Sequence, residues 1–313
     1  MNIAAYTSKY YLPTFLSLYD SIKIDKSIKL FVLCYDDEVK NFLKKKIKNC
    51  VIITTEDIEL KNKEIIIKKY KNFNEKHGVY RLAYAEYLLK KIKKPIHLID
   101  SDIFFFNKPT LLNKIVKNSK ASIAFAKHNY FFKKKDMEDK YGIYNAGYIF
   151  FNYDINSLNF LKKYRKLCFN FISWDTKKKG KSNFADQTYL EKLIKIFKNV
   201  YVIKHKGINT APWNIGGFKL KIVNNKIFVD DDILIFYHFS GIRSIMNKFF
   251  FFNLYHYNKK NLPDVKKFLY EKYFLILKRN NSLFSIVSKN KSINTFTFMK
   301  LWKKIVYKDF III

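Results

Sequence analysis

The chain has 313 residues, 49% of them hydrophobic and 18% aromatic, which is enough to bury at least one sizeable core. Its 8 glycines and 5 prolines are too few for a collagen-like or low-complexity protein. The formal net charge of +34 has two possible origins: attraction to anionic partners, or the lysine-rich composition of an AT-rich genome, which we favour.

Apolar runs and helical periods alternate through the first third of the chain. The predicted strands are Asn2–Tyr6, Lys29–Cys34, Val51–Thr54 and Ile96–Ile99, and the predicted helices are Leu12–Ile22, Phe42–Ile47 and Val79–Ile92. Pro95 ends the last of these helices. This alternation predicts an α/β fold with a doubly wound parallel sheet.

The middle of the chain continues the pattern less regularly. Further strands are predicted at Ser122–Ala126, Tyr148–Asn152, Val200–Ile203 and Ile233–Tyr237, and helices at Phe160–Phe171 and Thr188–Phe197. The pair Asn224-Asn225 separates two short apolar runs, Leu220–Val223 and Lys226–Val229, which predicts a tight hairpin turn.

Beyond about residue 245 the alternation stops, so we predict two parts, 1–245 and a basic, aromatic, mainly helical extension, 246–313. Helices are expected at Val265–Leu277 and Thr297–Tyr307. The second has an apolar side and a lysine-rich side. It could dock on the core, which we favour, or lie on an anionic membrane surface.

The sequence opens on MNIAAYT, without the basic and apolar regions of a signal peptide, so we expect no cleaved leader. No apolar run approaches the roughly 18 residues of a membrane span, and any membrane contact is expected to be peripheral. Three widely spaced cysteines predict neither a disulfide framework nor a zinc site and suit a reducing cytoplasm. Arginine is confined to Arg81, Arg165, Arg243 and Arg279, and no nucleic-acid-binding motif occurs, so no nucleic-acid partner is expected.

The sharpest chemical feature is Asp100-Ser101-Asp102, directly after the apolar strand Ile96–Ile99. Ligands of open α/β sheets bind at the carboxyl ends of the strands, and two carboxylates there can share one hard divalent cation. Such a cation would neutralise a diphosphate leaving group. A solvated turn is the alternative explanation.

Two polar groups come next along the chain. Tyr144-Asn145-Ala146-Gly147 precedes a predicted strand, where small residues let a ligand approach the backbone and Asn145 can bond sugar hydroxyls; an ordinary turn is the alternative. Asp186 and Gln187 begin a predicted helix, where Asp186 serves either as an N-cap or, beside Gln187, as a grip on a sugar ring.

Two later loops complete the set. Ala211-Pro212-Trp213-Asn214 offers an aromatic platform for a sugar face or an acceptor. His238-Phe239-Ser240-Gly241 follows a predicted strand, and its histidine is either a satisfied core residue or a group that a metal or phosphate approaches.

In their order, HLIDSDIFFFNKP, IYNAGYIFFN, FADQTYL, NTAPWN and YHFSG resemble bacterial GT-A glycosyltransferases akin to family 8 and related nucleotide-diphospho-sugar transferases. The resemblance covers roughly residues 1–245. It implies a GT-A fold with a Rossmann-like mixed sheet, a nucleotide-sugar donor, UDP-linked by preference, and Mn²⁺ or Mg²⁺. It also implies a hexosyltransferase, with retention of configuration favoured.

The resemblance also implies residue roles. The metal ligands are Asp100, Asp102 and His238. The donor-sugar and catalytic residues are Asn145, Asp186 and Gln187, with Asp186 the candidate base if configuration is inverted. The nucleotide-sugar-binding residues are Tyr6, Thr7, Arg81, Asp100, Ser101, Asp102, Ala146, Gly147, Trp213, Asn214 and Gly241, with Tyr10 and Asp36 as weaker candidates near the base.

One position departs from the family pattern. Family 8 members often carry a lysine three residues after the glycine of the His-x-x-Gly element, and here that residue is Ser244, so Arg243 or Lys248 would have to substitute. A nucleotidyltransferase is the alternative enzyme, although residues 6–13 hold no glycine for a phosphate loop. The non-enzyme alternative is a basic peripheral protein that binds anionic lipid or nucleic acid.

The expected acceptor is a glycan or a lipid-linked glycan of bacterial surface polysaccharide synthesis, by analogy with the family. The expected location is the cytoplasm, with peripheral contact at the inner face of an anionic cell membrane.

Overall fold

The structure, a computed structural model, describes residues 1–172, 184–245, 247–258, 262–287 and 310–313. The strands are β1 Asn2–Thr7, β2 Lys29–Cys34, β3 Cys50–Thr54, β4 Ile96–Ile99, β5 Ile103–Phe105, β6 Ile123–Lys127, β7 Tyr144–Phe151, β8 Val200–Ile203, β9 Leu220–Val223, β10 Lys226–Val229, β11 Asp232–Ile233, β12 Phe236–His238, β13 Arg243–Ile245, β14 Phe249–Phe251 and β15 Phe310–Ile312.

The helices are α1 Leu12–Ile22, α2 Asp37–Lys46, α3 Thr55–Glu59, α4 Lys63–Ile67, α5 Phe73–Ile92, α6 Pro109–Asn118, α7 Lys134–Tyr141, α8 Ile155–Asn170, α9 Leu190–Ile196, α10 Leu254–Asn258, α11 Pro263–Val265 and α12 Lys272–Val287. Short 3₁₀ turns lie at Gln187–Tyr189 and Ile215–Gly217, and a π-helical stretch, Lys266–Glu271, joins α11 to α12. Within these described residues, no helix is both long and apolar enough to cross a membrane.

The central sheet has seven strands in the order β3-β2-β1-β4-β7-β6-β8. Strands β1 to β4 run parallel, as the sequence predicts, but β7 is antiparallel to both β4 and β6, so the sheet is mixed. The mixed α/β fold implied by the resemblance is thus confirmed.

Alternate residues of the central strands enter different cores. Ile3 and Ala5 pack in the core that α1, α2 and α6 cover, whereas Ala4 and Tyr6 pack in the core that α5, α8 and α9 cover. Strands buried on both faces read as continuous apolar runs, which explains why their bounds are predictable from sequence.

Several predicted elements differ from the structure; helices α2 and α8, for example, each begin five residues before the predicted starts at Phe42 and Phe160. Helix α5 begins at Phe73 rather than Val79, because the Asn72 side chain accepts the Glu75 N–H at 3.0 Å and caps an earlier turn. Strand β7 begins at Tyr144, so Asn145 lies inside a strand, where it pairs with Ala126 beyond a register shift whose extra residues are in β7.

The predicted strand Ile233–Tyr237 is two strands. β11 pairs with β10, and β12 leaves that small sheet to pair with β5. The Asn224-Asn225 hairpin is confirmed, with φ values of 50° and 61° that a type I′ turn requires.

Residues beyond 245 pack against earlier ones. A third core joins Phe104, Tyr237 and Phe239 to residues of β14 and of the last helical segment. The Phe239 ring stacks on the Tyr273 ring with centroids 3.8 Å apart. The helix predicted at Val265–Leu277 is present, whereas the one predicted at Thr297–Tyr307 lies outside the described residues. The division at residue 245 stays a prediction.

His97, buried in β4, gives the fold a pH-dependent stability. Its Nδ1 lies 3.0 Å from the Tyr148 hydroxyl and its Nε2 lies 3.2 Å from the Asn113 amide oxygen. Burial lowers the pKa of this imidazole from 6.5 to about 3. The folded chain therefore holds His97 neutral, and below pH 6.5 the unfolded chain takes up the proton first.

We expect His97→Asn, which cannot titrate, to flatten this pH dependence. From pH 6.5 down towards pH 3, the free energy of unfolding should fall more steeply in the native chain than in the variant. The difference in slope should be roughly 1.4 kcal/mol per pH unit. Urea unfolding at several pH values measures it, and parallel curves for the two proteins would contradict this assignment.

Candidate active site

A cavity of about 320 Å³ opens at the carboxyl end of the central sheet. Most of the residues singled out in the sequence line it: Tyr6, Thr7, Arg81, Asp100, Ser101, Asp102, Asn145, Ala146, Gly147, Asp186, Gln187, Trp213 and His238. Convergence of polar side chains from separate strands and helices in one cavity is typical of a ligand site.

Asp100, Asp102 and His238 form the centre of this cavity. The two aspartates lie in the tight turn between β4 and β5, and the pairing of β12 with β5 sets His238 opposite Ile103. His238 Nε2 lies 2.9 Å from Asp102 Oδ1 and 3.8 Å from Asp100 Oδ2. One ligand atom from each residue falls within 4.8 Å of the other two.

The three side chains of this triad shift one another's pKa values. Burial, reinforced by Asp102 and Asp186, holds the pKa of Asp100 well above its usual value, although His238 opposes the shift. Burial would also raise the pKa of Asp102, but the charge and hydrogen bond of His238 outweigh it and lower that pKa. The His238 pKa is raised because the Asp102 carboxylate outweighs burial.

The triad fits a divalent cation. Two carboxylates and an imidazole are a donor set that suits Mn²⁺, and the oxygen donors also suit Mg²⁺. The raised pKa of Asp100 reflects negative charge crowded into a buried place, which a cation would relieve. His238 Nδ1 is buried and has no hydrogen-bond partner among the described residues, whereas Nε2 faces both carboxylates and is the ring atom that could bind a cation.

Gly147 leaves the space that the His238 ring occupies. A Cβ atom there would lie 2.4 Å from His238 Cε1 and 2.7 Å from its Nδ1. The ring also meets the Trp213 ring edge-on at 5.2 Å, and β7 is buried at this position. Any side chain at position 147 would therefore require the His238 ring to shift.

We expect Gly147→Ala to weaken Mn²⁺ binding by about 10- to 100-fold, the usual effect of disturbing the support of a metal ligand. Isothermal titration with Mn²⁺ alone measures this. Gly217→Ala is the matched control, because the three atoms nearest its Cβ all belong to the side chain of Phe131, a residue that is 41% exposed and lies outside the cavity lining. Unchanged Mn²⁺ affinity in Gly147→Ala would contradict the assignment of His238.

Arg81 organises the other wall of the cavity. Its guanidinium lies 3.0 Å from Asp186 Oδ2 and 3.8 Å from Asp100 Oδ1, and it donates to the Ala146 carbonyl at 2.5 Å. It also lies over the Tyr6 ring, 5.3 Å from the centroid. The Asp186 side chain does not cap the helix that follows it. Asp186 pairs with Arg81 at this position instead.

Asn145 and Gln187 are held by neighbouring groups. The Asn145 amide oxygen accepts the Gly147 N–H at 3.0 Å, and its nitrogen lies 3.1 Å from His128 Nε2. The Gln187 amide nitrogen donates to the Tyr141 carbonyl at 2.6 Å. Each side chain thus has a fixed amide orientation at the cavity wall.

The first strand closes the cavity from a third side. The Tyr6 hydroxyl donates to Asp100, and the Ser101 hydroxyl donates to the Tyr6 carbonyl. Thr7 and Ser8, which follow on the chain, are buried and line the cavity. The loop after β1 is therefore tied to the Asp-Ser-Asp turn.

Four predicted binding residues do not line the cavity. Asn214 is buried, and its amide bonds Ala211, Asn209 and His128 backbone atoms, so it braces the loop that carries Trp213. Gly241 makes a turn at φ 72°. Tyr10 is 68% exposed, and Asp36 accepts the Lys9 N–H at 2.8 Å to hold the loop after β1.

The position of the family lysine has no substitute in the cavity wall. Arg243 and Lys248 are exposed, and neither is among the lining residues. The Ser244 hydroxyl lies 3.5 Å from the Asn281 amide nitrogen, which ties this strand to α12. Across the described lining, Arg81 is the one arginine, and lysine is absent.

Aromatic residues missing from the sequence prediction complete the cavity: Tyr11, Tyr35, Phe73, His77, His128, Tyr130, Tyr141, Phe184 and Tyr257. The Tyr35 hydroxyl lies 3.0 Å from His77 Nδ1, and the His77 ring meets the Tyr6 ring edge-on at 4.8 Å. Tyr35 and His128 directly follow β2 and β6. Their position after the carboxyl end of a strand is the sequence feature that could have identified both as cavity residues.

Comparison with known proteins gives relatives without a described activity. No protein-family model matches the chain. Two Bacillus subtilis (strain 168) proteins, each named uncharacterized, are similar in sequence. YfnD is 29% identical over 258 residues, which cover 80% of this chain and 79% of YfnD. YfnF is 26% identical over 244 residues, which cover 74% and 78%.

Solved structures identify the fold. The galactosyltransferase LgtC, in complex with donor and acceptor sugar analogs, superposes with a TM-score of 0.52 at 14% identity, covering 89% of this chain and 96% of LgtC. The bifunctional glycosyltransferase WbbM, in its apo form, gives the same TM-score and identity, covering 87% of this chain and 51% of WbbM. The chain therefore has the GT-A fold of nucleotide-diphospho-sugar transferases.

Proposed function

We propose that this protein is a glycosyltransferase that moves a sugar, a hexose by preference, from a nucleotide-sugar to a glycan or lipid-linked acceptor. The observation that carries the proposal is the convergence of Asp100, Asp102 and His238 on one point beside the Arg81–Asp186 ion pair. This arrangement supports a cation site next to polar groups that can hold a sugar, in a fold shared with sugar transferases.

Asp100, Asp102 and His238 would hold Mn²⁺ or Mg²⁺. When bound, this ion would neutralise charge on the departing nucleoside diphosphate. Because lysine is absent from the described lining, and Arg81 already faces two aspartates, this chain supplies no other free positive charge there. The ion's contribution should accordingly be large.

The protein's own residues would orient the donor. Tyr6, Thr7 and Trp213 line the cavity and would surround the nucleotide, with a UDP-linked donor favoured. Arg81 fixes Asp186 at the sugar, while Asn145 and Gln187 present amides whose planes are already set. Catalysis would come mainly from this positioning and from charge stabilisation.

Retention of configuration is the favoured outcome. Inversion requires a general base opposite the leaving group, and Asp186 is the candidate. Its carboxylate is engaged by the buried Arg81 guanidinium at 3.0 Å, which suits a positioning role better than proton abstraction.

A thermal-shift panel tests the proposal. UDP-, GDP- and CMP-sugars are added with Mn²⁺ or with a chelator, and one nucleotide-sugar should stabilise the protein only when Mn²⁺ is present. At about 100 times the Kd the expected stabilisation is about 2.7 kcal/mol. Stabilisation by nucleoside triphosphates alone would favour a nucleotidyltransferase, and no response to any nucleotide would contradict the proposal.

The cellular role proposed here follows the same analogy. The enzyme would work in the cytoplasm, at the inner face of the membrane, on a bacterial surface polysaccharide. Residues 1–245 would form the catalytic domain, and residues 246–313 a helical extension whose described part packs behind His238 through Phe239 and Tyr273.

A further inference from the structure

A second surface, distant from the metal triad in sequence, exposes apolar side chains. We call Leu60, Ile66 and Ile67 the α4 patch; their exposed fractions are 75%, 58% and 80%. Ile65 of the same short helix is fully buried and anchors the segment in the core. A single exposed apolar residue is ordinary, but three of them within eight positions of the chain are a candidate interaction surface.

Exposed lysines lie beside the α4 patch along the chain. Four of them are exposed in the same segment: Lys61, Lys63, Lys69 and Lys71. Among the residues that the structure describes, none of these four takes part in an ion pair. They are thus available to an external partner.

The acidic residues of the segment are already engaged. Glu64 pairs with Arg165 at 2.6 Å, and Glu75 with Lys68 at 3.5 Å. Glu59 accepts a hydrogen bond from the Tyr80 hydroxyl. Glu64 is 55% exposed, yet its carboxylate is paired with Arg165, so the four exposed lysines give this segment an excess of positive charge.

The patch lies at the same end of the sheet as the cavity. The segment that carries it leaves the carboxyl end of β3 and enters α5, whose first turns supply Phe73, Asn74 and His77 to the cavity wall. Phe73 itself is 39% exposed. A flat surface that covers the α4 patch would thus sit beside the cavity rather than behind it.

We propose that the α4 patch docks the protein on an anionic lipid bilayer, with Leu60, Ile66 and Ile67 inserted at the headgroup boundary. The four lysines would contact lipid phosphates. Exposed apolar side chains with exposed lysines beside them in the chain match a uniform negative surface with an apolar interior. This inference does not rest on the proposed function, because docking needs no nucleotide-sugar.

The first test makes the same substitution at two exposed isoleucines, one in the α4 patch and one outside it. Ile67→Glu changes the patch, and Ile24→Glu changes a residue that is 86% exposed in the α1–β2 connection, at the opposite end of the sheet. Binding is measured by co-sedimentation with phosphatidylcholine vesicles with and without phosphatidylglycerol, at physiological salt, where long-range attraction by the net positive charge is screened.

We expect Ile67→Glu to lower binding to the anionic vesicles by about tenfold or more, from loss of inserted apolar surface and one added negative charge. Ile24→Glu should bind like the native chain. Equal losses in both variants would show a non-specific charge effect and overturn the proposal. The same holds if Ile67→Glu turns a dimer into a monomer while vesicle binding stays unchanged.

A second test gives a signal on binding. Tryptophan is placed at the patch as Ile67→Trp or at the control site as Ile24→Trp, and fluorescence is recorded with brominated lipids in the anionic vesicles. The added emission of Ile67→Trp should shift to the blue and be quenched, and that of Ile24→Trp should not. Absence of quenching for Ile67→Trp in vesicle-bound protein would overturn the proposal.

Discussion

Asp102→Asn is expected to lower kcat/KM for transfer from the nucleotide-sugar by roughly 10²- to 10³-fold. Asparagine keeps the shape of the side chain but removes its charge, at an oxygen that lies 2.9 Å from His238 Nε2. The triad would keep one carboxylate, so the cation would be held less tightly and the charge of the leaving diphosphate would be less well neutralised.

Two measurements separate this effect from a folding defect. Mn²⁺ affinity, from titration without nucleotide, should fall together with the rate, while the thermal midpoint in chelator stays close to that of the native chain. Asp36→Asn is the matched control, because Asp36 also follows a central strand but lies outside the cavity lining. Full activity of Asp102→Asn, or of the native chain in chelator, would refute the metal role.

The sequence predicts strands β2 and β4 well because both faces of each are buried. In Lys29–Cys34 and Ile96–Ile99 every residue after the first lysine is apolar or buried, so the strand bounds are visible as continuous runs. The Asp-Ser-Asp turn is predictable for the same reason, since it begins where the run Ile96–Ile99 stops.

The residue that contacts the Asp-Ser-Asp turn, His238, could not be identified from the local hydrophobic pattern. His238 reaches Asp102 only because β12 pairs with β5, across a separation of more than a hundred residues along the chain. Hydrophobic periodicity carries no information about such pairings, and the expectation that His238 joins the aspartates came from the family resemblance alone. For the same reason, the sequence did not predict that Ile233–Tyr237 is divided between two strands.

The aromatic half of the cavity was missed for a different reason. Phe73 and His77 lie in the first turns of α5, ahead of the predicted start at Val79, although Asn72 and Glu75 have the spacing of a helix N-terminus. A helix predicted from its cap at Asn72 would have included His77 in its first turns, at the same end of the sheet as Asp100. A capping signal can therefore outweigh the absence of an apolar period.

The largest effect on stability is expected from Arg81→Met. Arg81 is 4% exposed and Asp186 is 3% exposed, so the substitution leaves a buried carboxylate without its guanidinium. Removing one partner of a buried ion pair typically costs about 3–5 kcal/mol. The Ala146 carbonyl, which accepts from Arg81 at 2.5 Å, loses its donor as well.

A double-mutant cycle determines how much of this loss belongs to the pair. Arg81→Met, Asp186→Leu and the double variant are unfolded in urea with chelator present, so that no ligand contributes. We expect the double variant to be more stable than Arg81→Met alone, because it buries no unpaired carboxylate at position 186. Additive losses would mean that Arg81 acts mainly through Asp100 and the Ala146 carbonyl.

Activity should respond differently from stability in the same cycle. The double variant can regain folding without regaining transfer, since neither Met nor Leu can hold a sugar hydroxyl. If Arg81 and Asp186 only brace the wall, the stable double variant should recover kcat as well as its unfolding free energy. Recovery of stability without recovery of kcat would instead place the ion pair in contact with the donor, where its position beside Asp100 and Asn145 suits it.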